Sequence, residues 1–101
     1  MADAEDAYNL RPVIAHLDRL LESREFPKTI CPSETARALS PLELQATGAS
    51  SWRDLMPAIR KYAFELRDDG KLDILQKGIV LPTSQDYTST TGPIRLRKKS
   101  S

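Results

Sequence analysis

Apolar residues recur every three or four positions near the start of the chain: Leu10, Val13, Ile14, Leu17, Leu20 and Leu21. That period predicts an amphipathic helix with one buried face. Asn9 suits its N-cap and Pro12 falls in the first turn, where a missing N–H is harmless. The helix should end near Arg24, before Phe26 and Pro27. His16 lies at the edge of the apolar face with no second metal ligand nearby, and reads as a flank residue. The piece Lys28-Thr29-Ile30 is compatible with a short strand. The stretch CPSETARALS, residues 31–40, then predicts a second helix. Pro32 suits its first position, Glu34 favours the helix dipole, and Cys31 or Ser33 serves as cap. Pro41 ends it, and residues 41–51 read as a connector with one turn around Leu42 and Leu44.

The third helix runs from about Ser51 to the Asp68-Asp69-Gly70 stop. Ser51 and Asp54 resemble a capping box. Pro57 predicts an irregular opening turn. Trp52, Leu55, Met56, Ile59, Tyr62, Ala63 and Leu66 form one stripe, so Trp52 is expected in the core. The period then changes to two. LDILQ-KG-IVLP predicts a hairpin with a two-residue turn at Lys77-Gly78, pairing Gln76 with Ile79 and Ile74 with Leu81. Leu72, Ile74, Ile79 and Leu81 should share one face. Residues 83–92 are polar and read as a mobile loop. PIRLR closes the domain, with Ile94 and Leu96 inward and Arg95 and Arg97 outward.

The order helix, short strand, helix, helix, hairpin, strand is that of a winged helix-turn-helix in the α+β class, with three helices, a hairpin wing and a C-terminal strand. The 101 residues make one domain, with an ordered core over about 8–97 and flexible termini. No stretch approaches the ~20 apolar residues of a membrane span. The acidic start, MADAEDAYN, has no apolar run and reads as no secretory leader. A single cysteine makes no internal disulfide, so a reducing compartment, cytoplasm or nucleus, is expected.

Charge adds an asymmetry. Residues 1–49 hold five basic and eight acidic side chains, a balance of −3; residues 50–101 hold ten and six, a balance of +4. The second half is therefore the one to meet an anionic partner.

The blocks TICPSETARAL, WRDLMPAIR, LDILQKGIVL and GPIRLR resemble the signature of a small, mainly bacterial family, a domain of unknown function assigned to the winged-helix class. They follow the same order and cover most of residues 29–97. The connector at 41–51 is longer here than the typical pattern. The resemblance implies the fold and implies no reaction.

Chemistry narrows the function further. Cys31 has no base beside it and no companion ligands, so it reads as a buried structural residue at a strand–helix junction. No catalytic residue, metal site or cofactor motif is read anywhere in the chain, which argues against an enzyme. Arg53, Arg60 and Arg67 repeat every seven residues on the side of the third helix away from its core stripe, with Phe64 among them. Lys77 at the wing tip and Arg95 and Arg97 on the last strand form a second basic set. Together these six predict a surface for double-stranded DNA, touching four to six phosphates. The alternative is a protein-docking module with no nucleic-acid binding; for Phe64 itself the plainer reading is packing under the wing or the C-terminal strand, with Arg60 stacked on it.

Overall fold

A computed structural model describes residues 8–99. Four α-helices precede the strands: α1 Arg11–Ser23, α2 Pro32–Arg37, α3 Pro41–Thr47 and α4 Met56–Asp68. A 3-10 turn, Trp52–Leu55, leads into α4. The strands are β1 Leu72–Gln76, β2 Ile79–Val80 and β3 Arg95–Lys98. The class is α+β, as the change of period predicts. The expected flexible termini are residues 1–7 and 98–101; residues 1–7 and 100–101 lie outside the described residues, while Lys98 belongs to β3 and Lys99 pairs with Asp73.

The count of three helices needs correction. Residues 41–47 form a full helix rather than a connector. Ser40 Oγ accepts from the Glu43 N–H at 3.1 Å, and the Ser40 N–H donates to Glu43 Oε1 at 2.8 Å. This reciprocal capping box, with Pro41 as the first helical residue, starts α3 where Pro41 also stops the preceding segment. Gly48, at φ +87°, closes it in the left-handed conformation. Asn9 is likewise not the N-cap of α1; Leu10 is. Asn9 Oδ1 still accepts from the Arg11 N–H at 3.1 Å, and the Asn9 amide donates to the Ala46 carbonyl at 3.4 Å, fastening the N-terminal end of α1 to α3.

The start of α4 follows the spacing. The Ser51 cap accepts from the Arg53 N–H at 3.1 Å, the irregular turn comes first, and regular helix begins at Met56 beside Pro57. At the far end the Lys71 N–H returns to the Leu66 carbonyl and the Gly70 N–H to Arg67, both at 2.9 Å. Gly70, at φ +77°, permits that reversal and aims the chain into β1.

The sheet order is β2-β1-β3, all antiparallel. The predicted turn is present: Gln76 pairs with Ile79, and the Leu81 N–H reaches the Ile74 carbonyl at 2.8 Å. The longer ladder joins β1 to β3, from Leu72↔Lys98 to Leu75↔Arg95. Ile30 bridges Leu96 through two 2.8 Å bonds, which sets the segment before α2 along the other side of β3.

Two clusters fill the interior. Leu17, Ile30, Ala63, Phe64, Leu72, Ile74, Leu81, Ile94 and Leu96 pack between helices and sheet. Val13, Ala36, Ala49, Leu55 and Ile59 pack among the helices. Val13 and Leu17 on α1, and Ile59 and Ala63 on α4, let each long helix serve both clusters. Ile79 departs from its expected place. It has the right parity but is 71% exposed, because β2 is an edge strand. Trp52 and Cys31 are half-buried rather than buried. Cys31 caps α2, its N–H donating to Glu34 Oε2 at 2.7 Å and its Sγ lying 3.0 Å from Ser33 Oγ.

Candidate nucleic-acid interface

The structure sorts the six predicted basic residues into two groups. Arg67 is 5% exposed. Its Nη1 donates to the Gln85 carbonyl at 2.7 Å and its Nη2 to Asp68 Oδ1 at 2.8 Å, with longer bonds to the Pro82 and Thr83 carbonyls. Its guanidinium stacks 4.8 Å from the Phe64 ring centroid. A side chain so enclosed has no donor left for a phosphate. Arg97 is also withdrawn. Nη2 binds Asp73 Oδ2 at 2.9 Å, Nε is buried without a partner, and the guanidinium lies over Phe26. Lys99 closes on the other oxygen of Asp73 at 2.9 Å.

The reason both were misread is the same. A helical or strand projection tells which side a residue leaves the backbone, not what lies above that side. Residues 81–93, which include the segment 83–92 read as a mobile loop, cross the outer face of α4. Tyr87 meets Phe64 edge-on at 6.0 Å, and its hydroxyl donates to the Pro57 carbonyl at 3.4 Å. Thr90 is buried, and Gln85 donates to its hydroxyl at 3.2 Å. Asp86 organises the turn by accepting from the Ser89 N–H and the Thr88 hydroxyl, and hydrogen bonding by the Ser89 side chain first, then by these two, holds its carboxyl below the ordinary range. Phe64 is therefore core, 3% exposed beneath this strap.

Arg60 is half-exposed. Its guanidinium donates to the Gly92 carbonyl at 3.0 Å and to Thr90 at 3.4 Å. Gly92 in turn lines a groove of about 430 Å³ with Gln76, Lys77, Thr91, Pro93 and Arg95. Gln76 holds the groove wall by donating to the Thr91 carbonyl at 2.7 Å. Lys77 and Arg95 are exposed there, and Arg95 is oriented by Thr29, whose hydroxyl accepts from Nε at 3.0 Å. Arg53 is exposed at the N-terminal approach to α4, its guanidinium 4.6 Å from the Trp52 ring centroid. The groove thus gathers Arg60, Lys77 and Arg95, while Arg53 stands with Trp52 at the entry to α4.

At the other end, where α4 finishes and β1 begins, acids and cations alternate: Asp68 pairs with Arg67, Asp73 with Arg97 and Lys99, and the groove lined by Asp18 and Glu22 of α1 is also lined by Lys71 and Lys98. Burial and the charges of Asp18, Glu65 and Asp69 push the Tyr62 hydroxyl above its ordinary pKa.

Sequence reasoning missed Arg37. It is exposed on α2 with its guanidinium 5.9 Å from the same Trp52 ring. Three-dimensional packing of α2 against the 3-10 turn makes that pair, and no spacing rule connects residues 37 and 52. His16 proves to be a structural partner: Arg19 can only donate, so Nδ1 accepts from it at 2.9 Å and the proton sits on Nε2, which faces Glu43 at 3.1 Å. Among the described residues, no group of three or more histidine, cysteine or carboxylate side chains could hold a metal. Among the described residues no helix is long and apolar enough to cross a membrane.

The family model for proteins of unknown function called DUF3253 matches residues 11–99. The chain belongs to that family. The match spans every helix and strand described here, so the basic groove and the strap both lie inside the family domain. Among curated proteins no match to the chain is found.

Proposed function

We propose that this DUF3253 chain is a winged-helix-class domain that binds double-stranded nucleic acid weakly through the basic groove and the entry to α4. The order of elements supports the fold reading, with the Ile30 segment beside β3 and β3 beside β1. The wing is the excursion from Lys77 to Pro93. The extra helix α3 lies in the segment 41–51 that the sequence reads as a connector.

The observation that carries the functional reading is the Arg60–Gly92 bond. It joins the first turns of α4 to the groove that holds Lys77 and Arg95, so cations separated in sequence converge. The contacts proposed are Arg53, Lys77 and Arg95, with Arg60 at the margin; Arg67 and Arg97 are withdrawn from the set. Because the strap covers the outer face of α4, the mode is phosphate contact rather than insertion of that helix into a major groove. Three or four phosphates give a log–log salt slope of about −3.

The test is duplex binding at low salt for the wild type, Lys77→Glu and Lys71→Glu. Lys77→Glu should weaken binding well beyond Lys71→Glu, which lies at the opposite end of β1 from the Lys77 turn. Equal losses would mean unspecific attraction, and no binding by wild type at tens of micromolar would end this reading. In that case a protein-docking role is favoured by Ile79 and Val80, which expose 71% and 42% of their surface on the edge strand beside Lys77.

A further inference from the structure

Arg37 and Arg53 arrive at Trp52 from different elements, α2 and the 3-10 turn, and both guanidiniums lie within 6 Å of its ring centroid. Among the described residues neither is paired with a carboxylate, whereas His16, Arg24, Arg67, Arg97 and Lys99 each are. The contrast within the molecule is informative. Arg24, Arg67 and Arg97 each face an acid. Two like charges gathered on one indole repel each other, and the electron-rich ring face offsets part of that repulsion. An anion between the two forks would remove the rest.

We infer that Arg37, Trp52 and Arg53 form a clamp for a single phosphate group. Guanidinium forks match phosphate oxygens in pairs, and stacking holds each fork before the ligand arrives, so less side-chain freedom is lost on binding. The indole is the platform that positions the forks. On the proposed function, which this inference extends, the occupant is a backbone phosphate. Arg37 then adds α2 to the contact surface, a residue no pattern in the sequence marks.

The protein contains its own reporter, because Trp52 is its sole tryptophan. Sodium phosphate, titrated against sodium chloride at matched ionic strength, should change Trp52 emission saturably where chloride does not. Arg37→Gln and Arg53→Gln should abolish the response with the circular dichroism of the fold unchanged. Arg37→Gln should also weaken binding of a short DNA duplex roughly tenfold, the loss expected for one charge-assisted contact. Arg37→Lys should recover only part of it, since the planar fork is gone.

The outcomes separate the two ideas. A phosphate response identical to chloride, or a duplex affinity untouched by Arg37→Gln, overturns the clamp and leaves the duplex reading standing. A phosphate response lost in both variants, with no duplex binding by wild type, supports the clamp and removes the duplex as its occupant.

Discussion

Arg67 on α4 donates to the backbone carbonyl of Gln85 across 2.7 Å. With Pro82 and Thr83 also leaning on the same guanidinium, one buried cation fastens the strap to the helix. Arg67→Ala would leave those carbonyls without a donor and open space beside Phe64. We expect a loss of about 2–4 kcal/mol in urea unfolding. Chymotrypsin should also cut after Tyr87 much faster in the variant than in wild type. Unchanged stability would mean that the strap is held elsewhere and that Arg67 is free to meet a ligand.

Asp73 gives the fold an acid-sensitive tie. Burial pushes its carboxyl up, but the hydrogen bonds and charges of Arg97 and Lys99 more than offset this, so its pKa falls below the ordinary 3.8. A carboxyl depressed in the folded state contributes stability above its unfolded pKa and loses it as pH falls through the folded one. Glu34 behaves alike: the Arg24 hydrogen bond leads in lowering its pKa, against some burial. Stability should therefore drop below about pH 4. Asp73→Asn should flatten that drop and cost about 1–3 kcal/mol at neutral pH, since Arg97 is left buried beside a neutral amide. An unaltered acid profile in the variant would exclude Asp73 as the source.

Lys77 is the non-glycine residue with positive φ, +51°, in the hairpin turn with Gly78 at +80°. Both values suit a mirror-image turn, where asparagine is a better first residue than lysine. Lys77→Asn should stabilise the domain by roughly 0.5–1 kcal/mol while weakening duplex binding. A melting temperature that rises together with tighter binding would contradict a functional role for the lysine.

Cys31 acts through its place at the start of α2. Ser is a preferred N-cap, so Cys31→Ser should be neutral or slightly stabilising, within about 0.5 kcal/mol. The native thiol is half-exposed, so labelling should proceed without global unfolding. Labelling that waits for unfolding would show that the α2 start is more closed than described. Glu34→Ala should be the costly change here, because it removes both the Cys31 N–H acceptor and the ion pair to Arg24.

Local periodicity determined much of this protein. The apolar stripe of α1, the irregular entry to α4, the Gly70 stop, the Lys77-Gly78 turn and the inward Ile94 and Leu96 all depend on neighbours within a few residues. Backbone sterics and capping act over that range, so the linear pattern carries them. The helix at 41–47 was legible too, in Ser40-Pro41 and Glu43; one proline stands both where a helix ends and where the next begins. The candidate site was only half legible. The chain shows that Arg53, Arg60, Arg67, Lys77, Arg95 and Arg97 leave their elements away from the core stripes. It does not show that residues 81–93 return over α4, burying Arg67 and tethering Arg60, or that Asp73 stands opposite Arg97. Nor does it show Arg37 reaching Trp52. Those facts join residues from 15 to 32 positions apart, and tertiary packing alone decides which cations remain open to an anion.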